Sequence, residues 1–171
     1  MKKKVYMAGP LFSAAEVNQR LREYGLIKEA VKSNNTGHEV FSPIMAPQND
    51  KKNLPTSEEI FLGDEDQLLD SEVVFADLDG EDAGVMMELG MVLYNANVKI
   101  YPYLTDIRVA TAGEYNKHHV PFGYNQFVIG ALEHYGHKIY SSFESALADY
   151  KKDFTDQEED DLVVEVVDCT H

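Results

Sequence analysis

EVVFADLDGEDAGVMMELGMVLYNANVKIYPYL, residues 72–104, decides the fold. Its first part, EVVFADL (72–78), is a short β-branched and aromatic run that reads as a strand. A polar turn follows, in which Asp82 is placed to cap a helix through the free N–H groups at its start. The apolar stretch 83–97 reads as that helix, and VKIYPYL (98–104) as the returning strand. A strand, a helix and a second strand connected in this way pair in parallel through a right-handed crossover. One residue resists this reading. Glu88 sits among Met86, Met87, Leu89, Met91, Val92 and Leu93. A buried carboxylate costs several kcal/mol unless it is paired or used.

Outward from this unit the same alternation continues. KKVYMAG (3–9) reads as a first strand ending at Gly-Pro, and Ser13 with Glu16 forms a capping box for a helix to about Ser33. Asn34-Asn35-Thr36-Gly37 is a turn before a second strand, HEVFSP (38–43). Thr56 with Glu59 opens a helix to about Leu69. Beyond residue 104, a short helix is expected near 125–135, then HKIY (137–140) as a fifth strand, then a last helix capped by Ser141 with Glu144 and running to about Phe154. The expectation is one α/β domain over 1–154, a doubly wound five-stranded parallel sheet of flavodoxin-like type, with an acidic tail at 155–171. Loops 44–55 and 105–124 are long for a compact domain and suit active-site walls or subunit contacts.

Composition narrows the function classes. The 171 residues suit a single core, and 44% hydrophobic with 26% charged residues describes a globular chain. No apolar run reaches the ~18 residues of a membrane span. The basic start MKKKVYMAGP has too short an apolar run for a signal peptide. The single cysteine, Cys169, allows no intrachain disulfide, so a cytoplasmic setting is expected. Net charge is −15, and the stretch 153–171 holds eight acids with no Lys or Arg. Body and tail both lack a basic footprint for nucleic acid, so the expected ligand is small.

In such sheets ligands bind beyond the carboxyl ends of the strands. YMAGPLFS, which follows the first strand, lacks G-x-G-x-x-G and the P-loop pattern, which argues against an ordinary dinucleotide or triphosphate site. No His/Cys cluster has metal-ligand spacing, and adjacent His118 and His119 read as solvated loop residues, so no metal or other cofactor is expected. Carboxylates remain. Asp82 and Glu88 lie about one and a half turns apart, and helical side chains lean toward the N-terminus, so both can face one cleft. Two carboxyl groups in a semi-apolar cleft can displace a group at an anomeric carbon, one attacking and one assisting departure. The alternative is that Asp82 only caps the helix and Glu88 pairs with an arginine.

VYMAGPLF, IFLGDEDQLLDSEVVFADLDG, EDAGVMMELG and YNQF, in this order over most of residues 4–154, resemble the nucleoside 2-deoxyribosyltransferase family. The resemblance implies that Glu88 is the nucleophile that forms a covalent 2-deoxyribosyl ester. It implies that Asp82 contacts and protonates the departing base, and that Tyr6 orients the nucleophile. Asp64 fits the acidic position contacting base or sugar, with Asp66 as its neighbouring competitor. Asn125 matches the residue that a neighbouring subunit supplies to the sugar 5′-hydroxyl, and Phe127 stands where the family usually has Met. Gly9 and Phe12 would shape the pocket. The implied partners are deoxynucleosides and nucleobases, with neither nucleic acid nor membrane, in a homo-oligomer built on dimers. Each position also has a plain reading: Tyr6 as core, Asp64 as a solvated helix acid, Asn125 as an N-cap, Met86 and Met87 as packing.

Two rival functions follow. Hydrolytic relatives that act on 2′-deoxynucleoside 5′-monophosphates tend to carry Asp-Ser-Gly before the nucleophile's helix. This chain has Asp82-Ala83-Gly84, although Ser13 and Arg108 could still serve a phosphate. A non-catalytic nucleotide-binding module on the same fold is the other.

Overall fold

The computed structural model describes residues 3–46, 55–107, 114–115, 118–119 and 124–155. Arg108, the acidic tail beyond residue 155 and most of loops 44–55 and 105–124 lie outside the described residues. Strand β1 (Lys4–Ala8) pairs in parallel with β2 (Glu39–Phe41) on one side and β3 (Val73–Asp77) on the other. Strand β4 (Lys99–Tyr103) follows β3, so the order is β2-β1-β3-β4. A separate two-residue antiparallel pair joins Glu114–Tyr115 to His118–His119.

β1 and β3 are buried along their whole length, as parallel strands covered on both faces must be. Side-chain alternation splits their residues between two apolar layers. Val5, Met7, Val73 and Phe75 pack with α1 (Ala14–Ser33) and the last helix, α5 (Phe143–Asp153). Tyr6, Ala8, Val74 and Ala76 pack with α2 (Ser57–Leu69), α3 (Ala83–Val92) and α4 (Gln126–His134). The capping boxes Ser13/Glu16 and Thr56/Glu59 open α1 and α2 as the sequence predicts.

Three local expectations are corrected. The described residues carry four paired parallel strands rather than five: HKIY contributes a single parallel bridge, Tyr103 to Tyr140. The Pro102 carbonyl accepts from Tyr140 N at 2.9 Å, but proline has no N–H to donate on that side, so the ladder starts late. Helix α3 ends at Val92 rather than near Asn97, because the Asn95 side chain takes the Asn97 N–H at 3.1 Å and closes a turn. The cap of α5 is Ser142, whose hydroxyl accepts from Ser145 N, instead of Ser141 with Glu144. Glu144 pairs with Arg22 at 2.6 Å.

Candidate active site

Gly9 follows the carboxyl end of β1, Pro43 that of β2 and Asp82 that of β3, and a cavity of about 300 Å³ opens there. The β1–α1 loop supplies Gly9, Leu11 and Phe12 to its wall, and α2 supplies Ile60 and Asp64. The start of α3 supplies Asp82 and Gly84, and Glu88 lies one helical turn deeper. A smaller, more apolar hollow of about 130 Å³ shares Asp64, Gly84 and Glu88, and is walled by Tyr6, Phe61, Leu68 and two methionines of α3.

The position of each acid has a local cause. Asp82 is the N-cap of α3, its Oδ1 accepting from Val85 N at 3.0 Å. A Cβ at Gly84 would lie 3.1 Å from that oxygen, so the small residue leaves the carboxyl its room. Glu88 is half-buried on the face of α3 that meets β1. Alternation in β1 aims Tyr6 at the same face, and its hydroxyl donates to Glu88 Oε1 at 2.5 Å. Asp64 lines both hollows, whereas Asp66 is exposed. Phe12 stands at the rim, 83% exposed.

These contacts set the electrostatics. Burial pushes the Glu88 carboxyl up to about 7; the Tyr6 hydrogen bond opposes this, and the charges of Asp64 and Asp82 add to it. Burial, and next the charge of Glu88, pushes the Tyr6 phenol well above its ordinary value, so it stays a donor. No Lys or Arg is among the described residues that line either hollow. Among the described residues no arginine clamps Glu88, and the Tyr6 hydroxyl holds it instead. No group of His, Cys, Asp and Glu among the described residues could hold a metal ion.

Asn125 and Phe127 line neither hollow of their own chain. The Asn125 side chain caps α4, accepting from Phe127 N at 3.0 Å, and the Phe127 ring is 85% exposed. Tyr124 anchors that corner by donating to the Leu78 carbonyl at 2.9 Å.

One cluster went unread in the sequence. Arg20, only 2% exposed, pairs with Asp77 at 2.6 Å and with Glu23 at 2.9 Å, and Glu23 accepts from Tyr103 at 2.9 Å. The signal was present: Arg20, Glu23, Ile27 and Ala30 recur at helical spacing on the buried face of α1. Arg20 also explains Gly9. Alternation turns a Cβ at Gly9 toward α1, where it would meet Arg20 Nη1 at 1.9 Å.

A family profile described as nucleoside 2-deoxyribosyltransferase matches residues 5–151. The chain belongs to this family. The family member is 31% identical, over 114 residues, to an uncharacterized protein of Ureaplasma parvum, covering 62% of this chain and 72% of that one. Among solved structures it resembles a conserved protein of Enterococcus faecalis (TM-score 0.68, 26% identity, 90% of this chain and 99% of that one). It shares its fold with the 2-deoxyribosyltransferases of Leishmania mexicana (TM-score 0.58, 21% identity, 88% and 97%) and Bacillus psychrosaccharolyticus (TM-score 0.53, 17% identity, 84% and 90%). No helix among the described residues of this deoxyribosyltransferase-family chain is long and apolar enough to cross a membrane.

Proposed function

We propose that this chain moves a 2-deoxyribosyl group from one nucleobase to another, carrying the sugar as an ester on Glu88. The observation that carries the reading is the Glu88 carboxyl at the junction of two hollows, held by the Tyr6 hydroxyl at 2.5 Å and facing the cavity that Asp82 also lines. A Glu88 oxygen bonds to C1′ as the C1′–N bond breaks, and the bond's electron pair leaves with the base. Asp82 gives that base a proton. An incoming base then attacks C1′ through a ring nitrogen, the ester electrons return to Glu88, and the ring N–H proton passes to Asp82. Burial, helped by the charges of Asp64 and Asp82, raises the Glu88 carboxyl to about 7, so the nucleophile sheds its proton in the neutral range. The apolar walls keep water from competing for C1′.

Free nucleosides are favoured over 5′-monophosphates. Asp82-Ala83-Gly84 offers no hydroxyl, and the lining cations that would balance a phosphate are absent among the described residues. Ser13, the other candidate for a phosphate, caps α1, its hydroxyl oxygen accepting from Glu16 N, and it lines neither hollow. Asn125 and Phe127 serve a neighbouring subunit in this reading, and exposed Phe61 and Met87 beside the smaller hollow give the homo-oligomer an apolar face. A salvage role in the cytoplasm fits a sequence with a single cysteine, Cys169, and so no pair for an intrachain disulfide.

The test is mass spectrometry of the protein mixed with deoxyinosine, then with adenine added. A 2-deoxyribosyl adduct on Glu88 that disappears as deoxyadenosine forms supports the reading. Exchange that persists in Glu88→Gln ends it, and deoxyribose phosphate released from a deoxynucleotide without exchange moves the chain to the hydrolases.

A further inference from the structure

The buried ion pair between Arg20 and Asp77 lies one residue behind the cavity wall, and no step above uses it. Asp77 spends its other oxygen on the chain that leads to Asp82: Oδ1 accepts from Asp79 N at 2.9 Å. The Asp79 carboxylate in turn accepts from Thr105 N at 2.8 Å, from Asp106 N at 3.0 Å and from the Thr105 hydroxyl. Between them the backbone is unusual. Gly80 and Glu81 both sit at positive φ, 76° and 52°. A non-glycine residue there is strained and persists only where its surroundings hold it. Asp82 follows immediately. Its placement over the cavity therefore depends on a turn whose first residue, Asp79, is pinned twice: its N–H by Asp77, itself clamped by Arg20, and its carboxylate by Thr105 and Asp106.

We propose that Arg20 and Asp77 are positioning residues that hold the 79–81 turn so that Asp82 can deliver its proton to the departing base. The proposal rests on the reading of Asp82 as the acid. A second surface of Arg20 points the same way: its guanidinium backs Gly9, so one cation sets both the first loop and the third. Spreading the clamp over α1, β3 and the segment after β4 gives it a rigidity that a turn of five residues lacks by itself.

A leaving group that needs no proton separates positioning from mere folding. In a 7-methylated purine deoxynucleoside the base already carries positive charge and departs as a neutral molecule. Arg20→Lys and Asp77→Asn should lower kcat on deoxyinosine about tenfold or more, with KM within a few-fold, since a misplaced catalytic group costs up to about 10²-fold per Å. Both should recover to within a few-fold of the parent on the methylated substrate. Asp79→Asn, at the half-exposed end of the same chain, should show a milder form of the same split and serves if either buried variant fails to fold. Equal losses on the two substrates, or no loss on either, overturn the proposal. Asp82→Asn is the control. If the methylated substrate does not rescue Asp82→Asn, the acid assignment itself fails and takes this inference with it. If Asp82→Asn is rescued and the Arg20 and Asp77 variants are not, only the inference fails.

Discussion

Replacing Glu88 by Gln should abolish exchange and make the protein more stable, and the second effect has a defined pH course. The folded state raises the Glu88 carboxyl from an ordinary value near 4.5 to about 7, burial being the main cause. The ionised group is therefore less welcome in the fold than in the unfolded chain. Below pH ~4.5 it is protonated in both states and costs nothing by this route. As pH rises from there to about 7 the cost grows, and above 7 it is constant. At about 1.4 kcal/mol per pKa unit, a fully buried group would cost about 3 kcal/mol. Glu88 is half-buried, so solvent screening reduces this to about 1–2 kcal/mol. Glutamine keeps the shape and can still accept from Tyr6, but carries no charge. Thermal unfolding of parent and Glu88→Gln at pH 4.5, 5.5, 6.5 and 7.5 should show a gap that opens with pH, to about 2–8 °C. Activity should fall by about 10⁴-fold or more. A gap that stays flat with pH, or a variant less stable at pH 7.5 than at pH 4.5 relative to its parent, would refute the claim that the fold strains this carboxyl.

Tyr6→Phe removes the hydrogen bond that favours ionised Glu88, so its proton affinity rises and the acid limb of the kcat/KM profile should move to higher pH. An unmoved limb would detach Tyr6 from the nucleophile. Gly9→Ala should cost about 1–3 kcal/mol in urea unfolding, since the new Cβ overlaps the guanidinium of a buried and doubly paired Arg20. Neutral behaviour would mean that Arg20 shifts freely. Mixing inactive Glu88→Gln with inactive Asn125→Ala should restore a fraction of the activity, because a hybrid interface holds one site with both residues intact. Complementation that fails with both proteins folded and associated would return Asn125 to its role as the cap of α4. That cap alone is worth about 1 kcal/mol.

The sequence by itself determined most of the elements and pointed to the acids that the cavity gathers. Capping boxes at Ser13 and Thr56 act over four residues, and the burial of β1 and β3 is written in unbroken apolar runs, so local physics was enough. Glu88 stood out for the same reason, as a carboxylate in an apolar helix. Only the tertiary structure decided how far each element runs and what each acid faces. Whether 137–140 is a strand depended on the missing N–H of Pro102, in a strand more than thirty residues earlier. Asp64 and Asp66 differ by two positions on one helix, and only the packing of α2 beside α3 turns the first into the cavity and the second to solvent. Arg20 finds Asp77 across 57 residues of chain, a contact between separate elements that no local spacing encodes. Strand alternation and helical period say which face a side chain takes, but the partner waiting on that face is settled when the layers close.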